Sequence, residues 1–300
     1  MPGTKKKLMP DSVQETLVPS VERFIPPGMT RITVPEFQRM VLAYYEKFGR
    51  HDMPWRHTTD PYCILVSEIM LQQTQVERVT RKYPEFIGAF PDFTTLARAP
   101  LADVLRVWQG MGYNRRAIAL QKCAVMVTGE YGGVLPRDVE TLATFPGIGH
   151  ATASSIAAFA FNLPVVFIET NIRRVFIHYF FRDWDTVRDE EILPLVGQAL
   201  YRRDPRVWYW ALMDVGAALK KGVPNPNRKS IHYAKQPAFE GSDRRIRGQV
   251  LKLLVSRGDM TMARIIGELG EDRDRVLKII AGLVKEGFIS MTGERIMLVS

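Results

Sequence analysis

The stretch from Phe145 to Arg174, FPGIGHATASSIAAFAFNLPVVFIETNIRR, places a glycine turn ahead of a carboxylate. The turn is Pro146-Gly147-Ile148-Gly149, between two apolar helical patterns. Gly147 and Gly149 lift the steric bar to positive φ and let another backbone approach closely. Phe145 and Ile148 are expected to anchor the turn. The N–H groups that open the next helix then face outward with the helix dipole behind them, and a phosphate is their natural partner. Pro146, Gly147, Gly149, Ala151 and Thr152 are the candidate contacts. Taken alone, the turn reads equally well as an ordinary helix–helix connection. Glu169 follows beyond one helical segment, beside Asn171, Arg173 and Arg174. A carboxylate there could act on a nucleotide held at the turn, which points to chemistry on DNA. Glu169 also suits a helix N-terminus, where an acid meets the dipole.

A second carboxylate, Glu68, falls on a helical pattern whose apolar stripe carries Ile64, Leu65, Ile69 and Leu71. Burial against such a stripe favours the protonated form, the state a general acid needs. The plainer reading is a solvated charge on a helix.

Composition narrows the partner. The chain has 300 residues, 46% of them apolar, and a formal net charge of +9. That length allows two domains, or one large domain with an appendage. The excess of positive charge favours a polyanion, nucleic acid first and anionic membrane second. A solvated basic surface without a partner is the alternative. Only two cysteines are present, Cys63 and Cys123, each in an apolar helical pattern. They read as buried thiols in a reducing compartment. Two thiolates cannot supply the four of a typical iron–sulfur site. No apolar run reaches the roughly 18 residues of a membrane span. A cytoplasmic, nucleoid-associated monomer is expected.

These residues need helices to position them. Residues 1–30 are polar and proline-punctuated and read as a disordered basic tail, not a signal peptide. From Val34 helical periodicity dominates, with helices expected at Pro35–Phe48, after Asp60-Pro61, and at Val76–Ala89, Leu101–Val107, Arg115–Tyr131, Asp138–Leu142, Thr152–Phe161, Ile172–Phe180, Glu190–Leu200 and Pro205–Leu219. Residues 31–219 therefore read as an all-α domain. Residues 220–242 are rich in Pro, Asn and Lys and read as a basic linker. Helical patterns at Asp243–Ser256, Thr261–Leu269 and Asp272–Glu286, then strands at Phe288–Met291 and Ile296–Val299, follow the order of a winged helix. Such modules bind DNA or protein, and residues 243–300 leave both open.

The hairpin resembles the helix-hairpin-helix of the DNA glycosylase superfamily that includes endonuclease III and the A/G-mismatch adenine DNA glycosylases. Upstream, PWRHTTDPYCILVSEIMLQQTQVERV is similar to the adenine glycosylase motif, in which WR and PY precede SE(I/V)MLQQTQV. VWQGMGYNRRAIAL resembles that family's W-x-GLGYY-x-RA segment. The resemblance covers residues 53–219 with the motifs in the family's order. It implies a mainly α fold: a two-lobed helical helix-hairpin-helix glycosylase with a small C-terminal winged-helix-like α+β domain.

By the same resemblance, Glu68 is the general acid that protonates a purine. Glu169 takes the place of an aspartate that stabilises the cationic sugar, one methylene further out, as glycosyl transfer through an oxocarbenium-like state requires. Asn171 matches the family's asparagine. Gln72, Gln73 and Tyr113 match residues that enter the duplex when a base is extruded. Asn114 stands where a second tyrosine is usual. Ala151 replaces the lysine nucleophile of bifunctional relatives, so lyase activity is not expected. The cluster-binding cysteines are missing after WALMDVGAAL, so no iron–sulfur cofactor is expected, though a structural cation at the hairpin backbone is compatible with the sequence. No Nudix-like C-terminal domain is recognisable. The implied partner is double-stranded DNA with a mismatched or damaged base, and the implied activity is a monofunctional glycosylase favouring adenine opposite guanine or 8-oxoguanine. A thymine or uracil mismatch glycosylase and a catalytically weakened DNA-binding protein are the alternatives.

Overall fold

The computed structural model describes residues 32–234 and 241–299. The tail expected over residues 1–30 lies outside them. In chain order the helices are α1 (Val34–Phe48), α2 (Pro61–Leu71), α3 (Val76–Ala89), α4 (Phe93–Arg98), α5 (Leu101–Trp108), α6 (Arg115–Glu130), α7 (Val139–Ala143), α8 (His150–Phe161), α9 (Thr170–Phe180), α10 (Asp189–Ala199) and α11 (Pro205–Gly222), then α12 (Asp243–Arg257), α13 (Met262–Leu269) and α14 (Arg273–Lys285). Three short strands, β1 (Met260–Thr261), β2 (Ile289–Thr292) and β3 (Arg295–Leu298), form an antiparallel sheet in the order β1-β3-β2. The chain is mainly α with a small C-terminal α+β module, as the sequence implies. The sequence reading lacked α4 and β1.

The chain divides into two compact units. One contains α1, α9, α10 and α11. Its centre is Phe37, whose ring meets Phe176, Phe180 and Trp208 edge-on at 5.4, 5.0 and 5.8 Å. Buried Asp214 on α11 accepts from the Arg50 backbone N–H at 2.8 Å and from Arg50 Nε at 2.7 Å. The segment read as a linker begins as the last turn of α11. A 3-10 turn, Pro226–Lys229, then packs within this unit: Asn227 Nδ2 donates to the Thr170 carbonyl at 2.9 Å, and Lys229 Nζ to the carbonyls of Arg182 and Trp184 at 2.6 and 2.8 Å. Residues 235–240 of that segment lie outside the described residues.

The other unit holds α2 to α8 together with the C-terminal module. Its core is continuous from Trp55, Leu65 and Trp108 to Ile246, Val250 and Leu254. α2 buries Tyr62, Ile64, Leu65, Val66, Ser67, Ile69 and Met70, so it is covered nearly all round, as a helix apolar around its circumference must be. Asp60 caps it, accepting from the N–H groups of Tyr62 and Cys63 at 2.8 and 3.0 Å, and Pro61 fills the first helical position. Its neighbour α8 buries the small residues Ala153, Ser154, Ser155, Ala157, Ala158 and Ala160. Small side chains allow the two helices to pack closely.

Glu286, just past α14, ties the module to α6. It accepts from Arg115 Nε and Nη2 at 2.6 Å each and from Arg247 on α12 at 2.6 and 3.0 Å. The Arg115 hydrogen bonds first, and Arg247 after them, hold its carboxyl at about 2, against a smaller opposing effect of burial. The folded-state value is depressed, so the stabilisation is complete above the ordinary value of 4.5 and is lost as pH falls toward about 2. After discounting for solvent around the largely exposed Arg115, Glu286→Gln should destabilise by about 1–2 kcal/mol near neutrality. Urea melts should show that gap at neutral pH and its disappearance near pH ~2; a gap independent of pH would contradict the assignment.

Candidate nucleic-acid interface and carboxylate sites

The close packing of α2 on α8 brings Glu68 to Ser155, whose Oγ lies 2.5 Å from Glu68 Oε2. The same Oγ is 2.9 Å from the Thr152 carbonyl. A serine hydroxyl has one proton to donate. It donates to Glu68 Oε2 and also lies against the Thr152 carbonyl one turn back in α8, so Ser155 holds the Glu68 carboxyl in place from the neighbouring helix. Ser155 is absent from the sequence-level set of site residues; it lies 87 positions from Glu68, and only the small-residue pattern of α8 hinted at a close approach.

One buried arginine organises the loops on either side. Arg116 in the first turn of α6 donates from Nη1 to the carbonyls of Ile69, Met70 and Gln72 at 3.0, 2.8 and 2.5 Å. From Nη2 it donates to Thr74 Oγ1 and the Gly112 carbonyl at 2.8 and 3.1 Å. Its guanidinium lies 5.4 Å from the ring centroids of both Trp108 and Tyr113. Burial lowers its pKa to about 10, which leaves it charged at neutral pH. Its signal in the sequence is the RA pair of NRRAIAL.

The two loops so tied carry unusual backbone. Gln73 has φ +52° and Tyr113 φ +48°. The remaining non-glycine residue with positive φ among the described residues is Asn162, the left-handed cap that ends α8. Left-handed backbone at a residue with a Cβ costs roughly 1–2 kcal/mol and persists where the surroundings enforce it. Gln73 is exposed and Tyr113 half-buried. The strain thus falls on two of the residues expected to enter a duplex. Gln72 braces the hairpin: its Nε2 donates to the Gly147 carbonyl at 3.1 Å and to Thr152 Oγ1 at 3.4 Å.

The hairpin joins α7 to α8. Gly147 has φ +74°, and a Cβ there would meet the Ala119 Cβ at 2.8 Å, so it meets both requirements expected of it. Gly149 does not: its φ is −88°, in extended backbone with open space around it. Its missing side chain leaves the start of α8 uncovered instead. Phe145 and Ile148 are buried, while Gly147, Gly149 and Ala151 are exposed, Pro146 and Thr152 are partly so, and no side chain caps α8. Cys123 Sγ donates to the Pro146 carbonyl at 3.3 Å, and burial pushes this thiol up to about 12. With Cys63 and Cys123 on separate helices and both free, the donor set does not fit an iron–sulfur cluster. Among the described residues no group of His, Cys, Asp or Glu is arranged to hold a metal ion, and no helix is long and apolar enough to cross a membrane.

In the other unit Glu169 caps α9. Its Oε1 accepts from the backbone N–H groups of Asn171 and Ile172 at 2.7 and 2.8 Å, and its Oε2 from Asn171 Nδ2 at 3.2 Å. Asn171 Oδ1 in turn accepts from Arg174 Nη1 at 2.7 Å, and Arg174 also donates to the Gly216 carbonyl at 2.7 Å. Gly216 has to be glycine, since a Cβ would meet the Asn171 carbonyl oxygen at 2.5 Å. Burial pushes the Glu169 carboxyl above its ordinary range, against the pull of the two backbone N–H groups and then of Arg174 and Arg173. Arg173 itself is engaged by Asp189 at 2.6 and 2.7 Å.

The family model described as HhH-GPD superfamily base excision DNA repair protein matches residues 66–193. An adenine DNA glycosylase of Mycolicibacterium smegmatis is 34% identical over 281 residues, which cover 85% of this chain and 95% of that protein. One from Mycobacterium tuberculosis is 33% identical over 262 residues, covering 78% and 85%. Among solved structures, a thermostable thymine-DNA glycosylase matches with a TM-score of 0.59 at 27% identity, over 65% of this chain and 91% of that one. The chain belongs to the HhH-GPD superfamily of base excision DNA repair proteins. Within that class its similarity to adenine DNA glycosylases extends along most of its length.

The raised value of Glu169 carries a sign. Its favourable contribution is complete below the ordinary value of 4.5 and is lost as pH rises through the raised one. Glutamine keeps an acceptor for the two N–H groups and removes the charge. Glu169→Gln should therefore melt at or above the wild-type Tm near pH ~8, with the gain gone near pH ~4, while base release falls by at least about 100-fold. A lower Tm at the higher pH would contradict this account of the site.

Proposed function

We propose that this protein is a monofunctional DNA glycosylase that removes adenine mispaired with guanine or 8-oxoguanine. The observation that carries the reading is Glu68 on the buried helix α2, held by the Ser155 hydroxyl of α8, within a chain similar to adenine DNA glycosylases. The substrate is duplex DNA. Gln73 and Tyr113 enter the helix and fill the space of the extruded nucleotide, whose unstacking costs a few kcal/mol. The exposed start of α8 receives a phosphate.

Glu68 transfers its proton to a ring nitrogen of the purine. The bond between the sugar and the base then breaks, its electron pair leaving with the neutral base. The sugar is left as an oxocarbenium-like cation, which the ionised Glu169 stabilises. Water adds to the anomeric carbon and loses a proton, leaving an abasic site. Asn171 and Arg174 position Glu169. Ala151 offers no amine to attack the sugar, so the strand stays intact. The chemistry draws on neither an iron–sulfur cluster nor another metal.

The likeness to a thymine-DNA glycosylase structure, with Asn114 in place of a tyrosine, favours thymine or uracil opposite guanine as the second reading.

Glu68→Gln tests the proposal, because the amide oxygen still accepts from Ser155 but the side chain has no acidic proton to give. We expect unchanged melting, retained binding to an adenine mismatch duplex and no abasic product. Borohydride treatment of the wild-type reaction should trap no covalent adduct. Product from Glu68→Gln, or efficient trapping, would overturn the mechanism.

A further inference from the structure

The C-terminal module reaches the turn that carries Tyr113. Arg244, in the first turn of α12, donates from Nη1 to Tyr113 Oη at 2.7 Å, and its guanidinium lies 5.8 Å from the tyrosine ring centroid. Arg116 approaches the same ring at 5.4 Å. Arg115, two residues beyond Tyr113, is gripped by Glu286, which Arg247 on α12 also holds. Arg244 and Arg247 are one helical turn apart, so one face of α12 serves both contacts.

The turn needs such support. Gly110, Gly112 and Tyr113 all have positive φ, at +86°, +70° and +48°. Two glycines give a segment much conformational freedom, and an aromatic residue at its end keeps one pose only if something fixes it. Meanwhile several of the module's arginines are met by its own acids. Arg245 pairs with Glu271, Arg257 and Arg264 with Glu268, and Arg275 with Asp243. Outside itself the module packs on the core that includes Trp108 and reaches the turn through Arg244 and Glu286.

We propose that the C-terminal module is a clamp on the duplex-probing turn, and that Arg244 is a positioning residue that holds Tyr113 in the pose that enters DNA. The proposal rests on the reading of Tyr113 as a residue that enters the duplex. It assigns residues 243–299 a part in recognising the mispair rather than in binding DNA or protein separately.

The test uses the full chain with Arg244→Ala, Arg244→Lys, Tyr113→Phe, Tyr113→Ala and the double variant Arg244→Ala/Tyr113→Phe. Dissociation constants are measured for an adenine–guanine mismatch duplex and for the fully paired duplex, across a salt series. Arg244→Ala should reduce the preference for the mismatch by about tenfold, the worth of one charge-assisted hydrogen bond. Binding to paired duplex and its salt slope should not change. Tyr113→Phe should show a similar loss, and the double variant no more than either alone. Arg244→Lys should restore part of the preference. Equal losses on both duplexes with a shallower salt slope would make Arg244 a phosphate contact and overturn the clamp. An unchanged preference in Arg244→Ala, with a lost one in Tyr113→Ala, would overturn the clamp and leave the reading of Tyr113 standing. An unchanged preference in Tyr113→Ala would remove both. Should Arg244→Ala fail to fold, Tyr113→Phe removes the same hydrogen bond and decides the matter.

Discussion

The guanidinium of Arg116 is the tie on which the larger unit depends. A buried arginine brings several donors in one rigid plane, and unmet donors there are costly. Arg116 donates through Nη1 to the carbonyls that end α2 and through Nη2 to the carbonyl of Gly112, leaving only its buried Nε without a partner. It thereby fixes two loops from different parts of the chain against one point. Both loops then carry a left-handed residue, Gln73 and Tyr113. The strain is held in place by a charge that water cannot reach easily. The end of α2 also fixes Gln72, which braces the Gly147 turn. Hairpin, α2 and the 110–113 turn thus share one support.

The two carboxylates illustrate how surroundings divide roles between like groups. Glu68 accepts from the Ser155 hydroxyl of a neighbouring helix. Glu169 faces backbone N–H groups at a helix start, which favour the anion, and burial, which opposes it. The opposing influences leave Glu169 costly to keep charged. The same carboxylate is the N-cap of α9.

Much of this was legible in the sequence where the signal is local. Asp60-Pro61 announced the start of α2, and the glycine turn announced the hairpin, because caps and turns are chosen by neighbouring residues. α4 escaped notice because its six residues, FTTLAR, are too few to show a period. β1 is a two-residue strand that exists through pairing with β3. Ser155, Arg116 and Arg244 act across 87, 44 to 47 and 131 positions of sequence. No local pattern encodes such contacts. Gly149 shows the converse: the residue type was read correctly as part of the turn, but its need for positive φ was assumed, and the backbone there is extended.

Release of a mispaired adenine is the central step of the proposed function. The most direct measurement is single-turnover reaction of the wild-type protein with duplexes carrying adenine opposite guanine, adenine opposite 8-oxoguanine, thymine opposite guanine, uracil opposite guanine and a fully paired control. The product is scored by alkaline cleavage of the labelled strand. Alkali-labile product from the adenine strand of an adenine mispair, with none from the paired control, is the predicted result. Binding to these duplexes without product from any of them would contradict the account.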